Sequence, residues 1–144
     1  MIVKQAREIG LNVAIGGGDG WDSAKLPEIA GKEALNNTFF SNVYSPDDTS
    51  DLNKQFVAEY QKKYNAKPDV FAALAYDSAL LIAKSIEDAK GADPVKMAEA
   101  MAKIKGFKGV SGDVTFDEFH NPVKSAFILE HKDGKQTFKA KVNP

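Results

Sequence analysis

The stretch Gly16-Gly17-Gly18-Asp19-Gly20-Trp21-Asp22-Ser23, GGGDGWDS, follows the apolar run Val13-Ala14-Ile15 and holds the chain's only tryptophan. Glycine loops at strand ends let backbone amides approach an anion and often cradle phosphate. This loop lacks the other parts of such a site. A P-loop ends in Gly-Lys-Ser/Thr where this sequence has Gly-Trp-Asp. A dinucleotide fingerprint needs a third glycine where Trp21 stands, and Asp19 would repel phosphate. Asp19 suits a cation instead. Open α/β sheets bind ligands at the carboxyl ends of their strands, and a carboxylate there makes a strong charge-assisted hydrogen bond to an ammonium group. The same spacing also allows Asp19 or Asp22 merely to cap the helix that follows.

The remaining reactive side chains form no catalytic pattern. Asp77 lies inside the apolar segment AALAYDSALLIA. A buried carboxylate requires a partner and can be functional; equally, Asp77 can stand on the helix's narrow exposed side or bond to loop backbone, and a structural role is the expectation. His120 and His131 have no metal-ligand partner at helical spacing. Asp113, Asp117 and Glu118 surround His120 without the alternating Asp/Asn pattern of a calcium loop, so no metal or cofactor is expected. No nucleophile elbow or Ser-His-Asp order is present. Cysteine is absent, which excludes disulfides and thiolate chemistry and leaves the compartment open. No catalytic residue and no enzymatic activity are therefore expected.

These residues need elements to position them. Ile2, Ala6 and Ile9 predict an opening helix that ends at Gly10, with no capping residue before it. Leu11–Ile15 reads as a short buried strand. Ser23 can cap a helix over 24–31 that turns Leu26, Ile29 and Ala30 inward, with Pro27 in its first turn. Thr38–Tyr44 alternates as a second strand. The polar loop SPDDTSD then launches a helix over 52–64, whose Leu52, Phe56, Tyr60 and Tyr64 form one apolar stripe. A longer helix over 70–89 is apolar on most of its circumference and is expected to be deeply packed. Asp93 and Pro94 open a third helix over 95–104. Val114–Phe116, Ala126–Leu129 and Thr137–Lys139 read as strands joined by turns at His120-Asn121-Pro122 and Asp133-Gly134, the latter a hairpin signal.

Helix, strand, glycine loop and helix in that order is α/β syntax. At 144 residues the chain is most simply one domain, and a domain of this size buries roughly 70% of its extended surface. Nineteen scattered basic residues against twenty acidic ones leave a net charge of −1, which offers nothing to nucleic acid. No apolar run approaches the ~18 residues that suggest a membrane span, and MIVKQAREIG lacks the apolar core and cleavage site of a signal peptide.

Several ordered motifs carry a resemblance. KQAREIGL, GGDGWDS, FFSNVYSPDD, FVAEYQKKYNAKPDVFAALAYDSALLIA, GVSGDVTFDEFHNPVKSAFI and KDGK together resemble the branched-chain amino-acid-binding proteins of bacterial ABC importers. These are type I periplasmic binding proteins, in which two α/β lobes joined by a hinge close over an amino acid. The resemblance covers essentially the whole chain and implies the C-terminal portion of such a protein. Residues 1–40 and 112–144 would then belong to the second lobe and the helices of 51–105 to the first, with hinge crossings near 41–50 and 106–112. It implies that Asp19 binds the ligand's α-ammonium, although members often carry Glu there. It also implies that Phe71 supplies an aromatic wall with Gly18 beside the cleft, while Trp21 either lines the cleft or packs under it. The hydroxyls that hold the ligand's carboxylate lie upstream in the family. Removing one partner of a buried charged contact costs ~3–5 kcal/mol, so binding by this chain alone should be roughly two to four orders of magnitude weaker. The implied partners are a small amino acid and an ABC permease, in an extracytoplasmic setting. Unpaired sheet edges would be covered by the missing N-terminal fragment or by a second copy in a swapped homodimer. The same fold also serves as the ligand-sensing domain of receptors and regulators, which is the competing expectation.

Overall fold

A computed structural model describes residues 1–23 and 25–144. Residue 24, the expected start of the second helix, lies outside the described residues. The chain builds two packed units joined by two crossings.

The first unit is a four-stranded sheet. Its strands are β1 (Ile15–Gly17), β2 (Thr38–Asn42), β6 (Ala126–Lys132) and β7 (Lys135–Val142), in the order β1-β2-β6-β7. β1 runs parallel to β2, with Ile15 opposite Thr38, while β2–β6 and β6–β7 are antiparallel. The β6–β7 turn is Asp133-Gly134, both at positive φ (52° and 75°), as a tight two-residue hairpin requires. Helices α1 (Ile2–Glu8) and α2 (Lys25–Ala30) complete this unit. One core cluster is Val3, Ala30 and Leu35, and another is Phe40, Phe127 and Leu129.

The expected strand over 11–15 begins only at Ile15, and Arg7 is the reason. Its guanidinium donates to the carbonyls of Leu11 (2.6 Å) and Val13 (2.8 Å) and reaches those of Ala34 and Asn36. Carbonyls taken by Arg7 are withdrawn from any ladder. α1 also sits differently from its predicted face. Val3 is buried, whereas Ile2 and Ile9 are 82% and 84% exposed. In α2, Ala30 is buried and Leu26 packs beside it, but Ile29 is exposed.

The second unit contains α3 (Asp51–Tyr64), α4 (Val70–Asp88) and α5 (Pro94–Ala102), with a small sheet β3-β4-β5 (Phe107–Gly109, Gly112–Phe116, Pro122–Val123). Each helix starts at a side-chain cap: Ser50 accepts from Asn53 N, Asp69 from Ala72 N and Asp93 from Lys96 N, which satisfies amides otherwise left over in a first turn. The core here is Tyr44, Val70, Ala73 and Val110. α4 is less deeply packed than its composition predicts. Only Val70, Ala73, Asp77 and Ser85 are buried, while Tyr76, Leu80, Ile82 and Ile86 are exposed. The stripe Leu52–Phe56–Tyr60–Tyr64 likewise lines an open cavity of about 1070 Å³ against α4. Its rings pack on one another, with Phe56 5.0 Å from Tyr76 and Tyr60 4.6 Å from Tyr64.

Buried polar side chains fix the helical unit and the loops that enter and leave it. Asn53 donates to the carbonyls of Ser45, Pro46 and Asp48 and so fixes the polar loop before α3. Asp77 accepts from the amides of Val110 (2.7 Å) and Ser111 (2.9 Å) and from Ser111 Oγ (2.5 Å), so of the alternatives open to it the loop-backbone one is found. Gly109 is required at this contact, because a Cβ there would lie 2.5 Å from the Asp77 carboxylate. Lys124 Nζ donates to Ser111 Oγ. Burial lowers the Lys124 pKa, partly offset by Asp77. Tyr44, in the first crossing, buries its hydroxyl with no hydrogen-bond partner among the described residues. Burial, reinforced by Asp47 and Asp48, pushes that phenol well above its ordinary value. Gly112–Phe116 pairs with Phe107–Gly109 and with Pro122–Val123, and the chain rejoins the four-stranded sheet at Ala126.

His131 makes the four-stranded unit sensitive to acid. It is 4% exposed, stacks on Phe40 at 5.4 Å and meets Thr38 Oγ1 at 3.1 Å. Thr38 gives its proton to the Leu35 carbonyl, so Nδ1 of His131 is the donor to Thr38. Burial holds the imidazole below its usual 6.5, opposed by the charge of Asp22. The unfolded chain therefore takes up the proton first. Stability is complete above pH ~6.5 and is lost as the pH falls through the lower folded value. Thermal melts across this range should show a falling midpoint, with a weaker dependence in His131→Gln.

Candidate ligand-binding loop

β1 ends at Gly17. Gly18 continues extended, and Asp19–Trp21 forms a 3-10 turn closed by Trp21 N to Gly18 O (3.0 Å) and Asp22 N to Asp19 O (2.9 Å). Ser23 Oγ then accepts from Lys25 N (3.2 Å), the capping role its position suggested. Asp19 is exposed, and its carboxylate takes no hydrogen bond or ion pair among the described residues. It therefore does not cap α2. It stands at the carboxyl end of the parallel strand β1, where α/β sheets present ligand groups.

The glycines serve two different ends. A Cβ on Gly17 would fall 2.3 Å from Cδ2 and Cε2 of Trp21, so the absent side chain is what lets the indole lie across the strand. A Cβ on Gly18 would meet nothing within 4 Å, which leaves open space beside Asp19. Trp21 itself is half-buried. It packs against both the Phe40–Phe127–Leu129 cluster and the Val3–Ala30–Leu35 cluster, so it lies under the turn as a support.

Phe71 is the second residue of α4 and is 74% exposed. Asp19 and Phe71 lie in different units, and neither borders the cavity between α3 and α4. The spacing of Asp22 suggests no role beyond a helix cap. Its carboxylate instead accepts from Asn42 Nδ2 (2.8 Å) and Gln136 Nε2 (3.1 Å). Asn42 and Gln136 escaped sequence reasoning, since nothing in a strand's alternation tells a buried amide from an outward one. No group of three or more His, Cys, Asp or Glu that could hold a metal ion occurs among the described residues. Among the described residues no helix is long and apolar enough to cross a membrane.

The comparisons with known proteins agree with this architecture. The chain belongs to the periplasmic binding protein family, whose model matches residues 1–136. It is similar to the leucine binding protein LivK of Thermotoga maritima, with 36% identity and a TM-score of 0.90 over 99% of this chain and 41% of that one. It is also similar to LivJ, the branched-chain amino acid transporter substrate binding protein of Streptococcus pneumoniae solved with isoleucine. That match has 36% identity and a TM-score of 0.83 over 98% of this chain and 40% of that one. Among curated relatives, Leu/Ile/Val-binding protein homolog 2 of Brucella abortus is 29% identical over 96% of this chain and 38% of its own length. The chain thus spans about two fifths of the relatives it matches.

Replacing Gly17 with Ala should push Trp21 off the strand. The expected result is a loss of about 1–3 kcal/mol of stability, as for other overpacked contacts, together with a red shift of Trp21 fluorescence. Chemical denaturation followed at the tryptophan band checks both.

Proposed function

We propose that this chain is a portion of the substrate-binding component of an ABC importer for branched-chain or similar small amino acids. It works outside the cytoplasm with a permease and performs no catalysis. The observation that carries the reading is Asp19: a carboxylate without a partner among the described residues, on a tight turn at the carboxyl end of a parallel strand, with open space above Gly18. Such a group suits the ammonium end of a free amino acid. Phe71, exposed at the start of α4, would form an apolar wall from the opposite side when the units close. The similarity to a leucine binding protein and to an isoleucine-bound transporter component supports this choice of ligand.

Calorimetric titration of leucine, isoleucine and valine into the chain tests it. Weak binding should appear and fall at least tenfold in Asp19→Asn, since a charge-assisted contact is worth about 1.5–3 kcal/mol. Binding that ignores this substitution would remove Asp19 from the site, and binding of none of the three amino acids would count against the reading for this chain.

The open faces fit the same reading. β1 is an edge strand paired only to β2, and the aromatic stripe of α3 faces a cavity. In the full binding protein, upstream strands would cover both. Without them the chain should self-associate, by element exchange or edge pairing. Sedimentation velocity would then show a concentration-dependent mass, and a clean monomer at all concentrations would overturn this part.

A further inference from the structure

Asp22 closes the 3-10 turn that carries Asp19, and its carboxylate is held by neutral amides from two different strands. Asn42, the last residue of β2, donates from Nδ2 to Oδ2 at 2.8 Å, and Gln136 of β7 donates from Nε2 to Oδ1 at 3.1 Å. Among the described residues no lysine or arginine pairs with it. The Asn42 amide cannot turn over freely, because its Oδ1 already accepts from Val43 N at 2.8 Å and the side chain is 2% exposed. Its NH2 group is thereby aimed at Asp22. The Asp22 amide in turn donates to the Asp19 carbonyl. One residue thus joins the turn to two strands through its side chain and to Asp19 through its backbone.

We propose that Asp22 is a positioning residue: it moors the turn to β2 and β7, so that the sheet sets where the Asp19 carboxylate stands. The consequence for ligand rests on the reading of Asp19 given above, whereas the mooring itself can be measured without ligand, because the chain's single tryptophan immediately precedes Asp22. Asn42 is also where the chain leaves the sheet for the first crossing, so the mooring ends at the base of the connection to the helical unit.

Substitution separates hydrogen bonding from charge. Asp22→Asn can still accept from Asn42 through its own carbonyl oxygen and donate to Gln136 once that freer amide rotates. Asp22→Ala can do neither. In the ligand-free chain, Trp21 emission should shift to the red and acrylamide quenching should rise in Asp22→Ala. Asp22→Asn should restore the wild-type signal, and Gln136→Ala, which removes one leg only, should fall between. Should Asp22→Ala fail to fold, Gln136→Ala decides the point. A wild-type signal in Gln136→Ala and in any folded Asp22→Ala would overturn the mooring, as would an Asp22→Asn signal as disturbed as that of Asp22→Ala.

Leucine titration of the same proteins adds the functional arm. Affinity should drop at least tenfold in Asp22→Ala and stay near wild type in Asp22→Asn. Lost binding in Asp22→Asn with Trp21 undisturbed would mean that Asp22 acts on the ligand through its charge, which overturns the positioning role. Unchanged leucine binding in Asp19→Asn would overturn the ligand reading instead and leave the mooring intact.

Discussion

The contact between the Trp21 indole and the backbone of Gly17 organises the sheet-bearing half of the molecule. Two hydrophobic clusters form there, one around Phe40, Phe127 and Leu129 on the sheet and one around Val3, Ala30 and Leu35 beneath the helices. Trp21 touches both. It reaches that place only because Gly17 offers no side chain where the ring lies. A large ring placed this way gives a short turn a rigid foundation, since aromatic side chains bury much apolar area with few rotatable bonds. The same contact sets the direction in which the chain leaves β1, and therefore which carboxylate points outward.

In the helical half and at the crossings, buried polar groups take over this organising role. Asn53 gathers three carbonyls of the loop before α3. Asp77 receives three donors from the β3–β4 connection, and Lys124 joins that cluster from the second crossing. The Asn53 contacts are local and the Asp77 contacts join segments distant in sequence, but both fall at points where no regular ladder could satisfy the backbone. Such groups specify one arrangement of the crossings, because a slipped register would leave several of them buried and unpaired.

Local chemistry was legible in the sequence, and packing direction was not. The polar loop that launches α3, the cap at Asp93 and the Asp133-Gly134 hairpin all depend on a few adjacent residues. The structure has each of them within a residue or two of its expected place. Periodicity located α3 and α4 but misjudged what their apolar faces meet, since a stripe records that something covers it and does not say whether this chain provides the cover. β1 starts late because a single arginine captured the carbonyls of Leu11 and Val13, an interaction that strand propensity does not register. The short strands Phe107–Gly109 and Pro122–Val123 escaped notice because two or three residues carry no readable alternation. The glycine loop and Asp19 stood out from residue types alone. Asn42 and Gln136, which hold the loop in place, became visible only when β2 and β7 were seen side by side.

The phenol of Tyr44 has no hydrogen-bond partner among the described residues. It sits in the first crossing, where the carboxylates of Asp47 and Asp48 add to the penalty for losing its proton. In the unfolded chain the same phenol ionises near its ordinary value of 10.0, so folding resists ionisation there, and that resistance is itself a source of strain as the solution becomes basic. Alkali should therefore melt the molecule from the connection between its two halves outward.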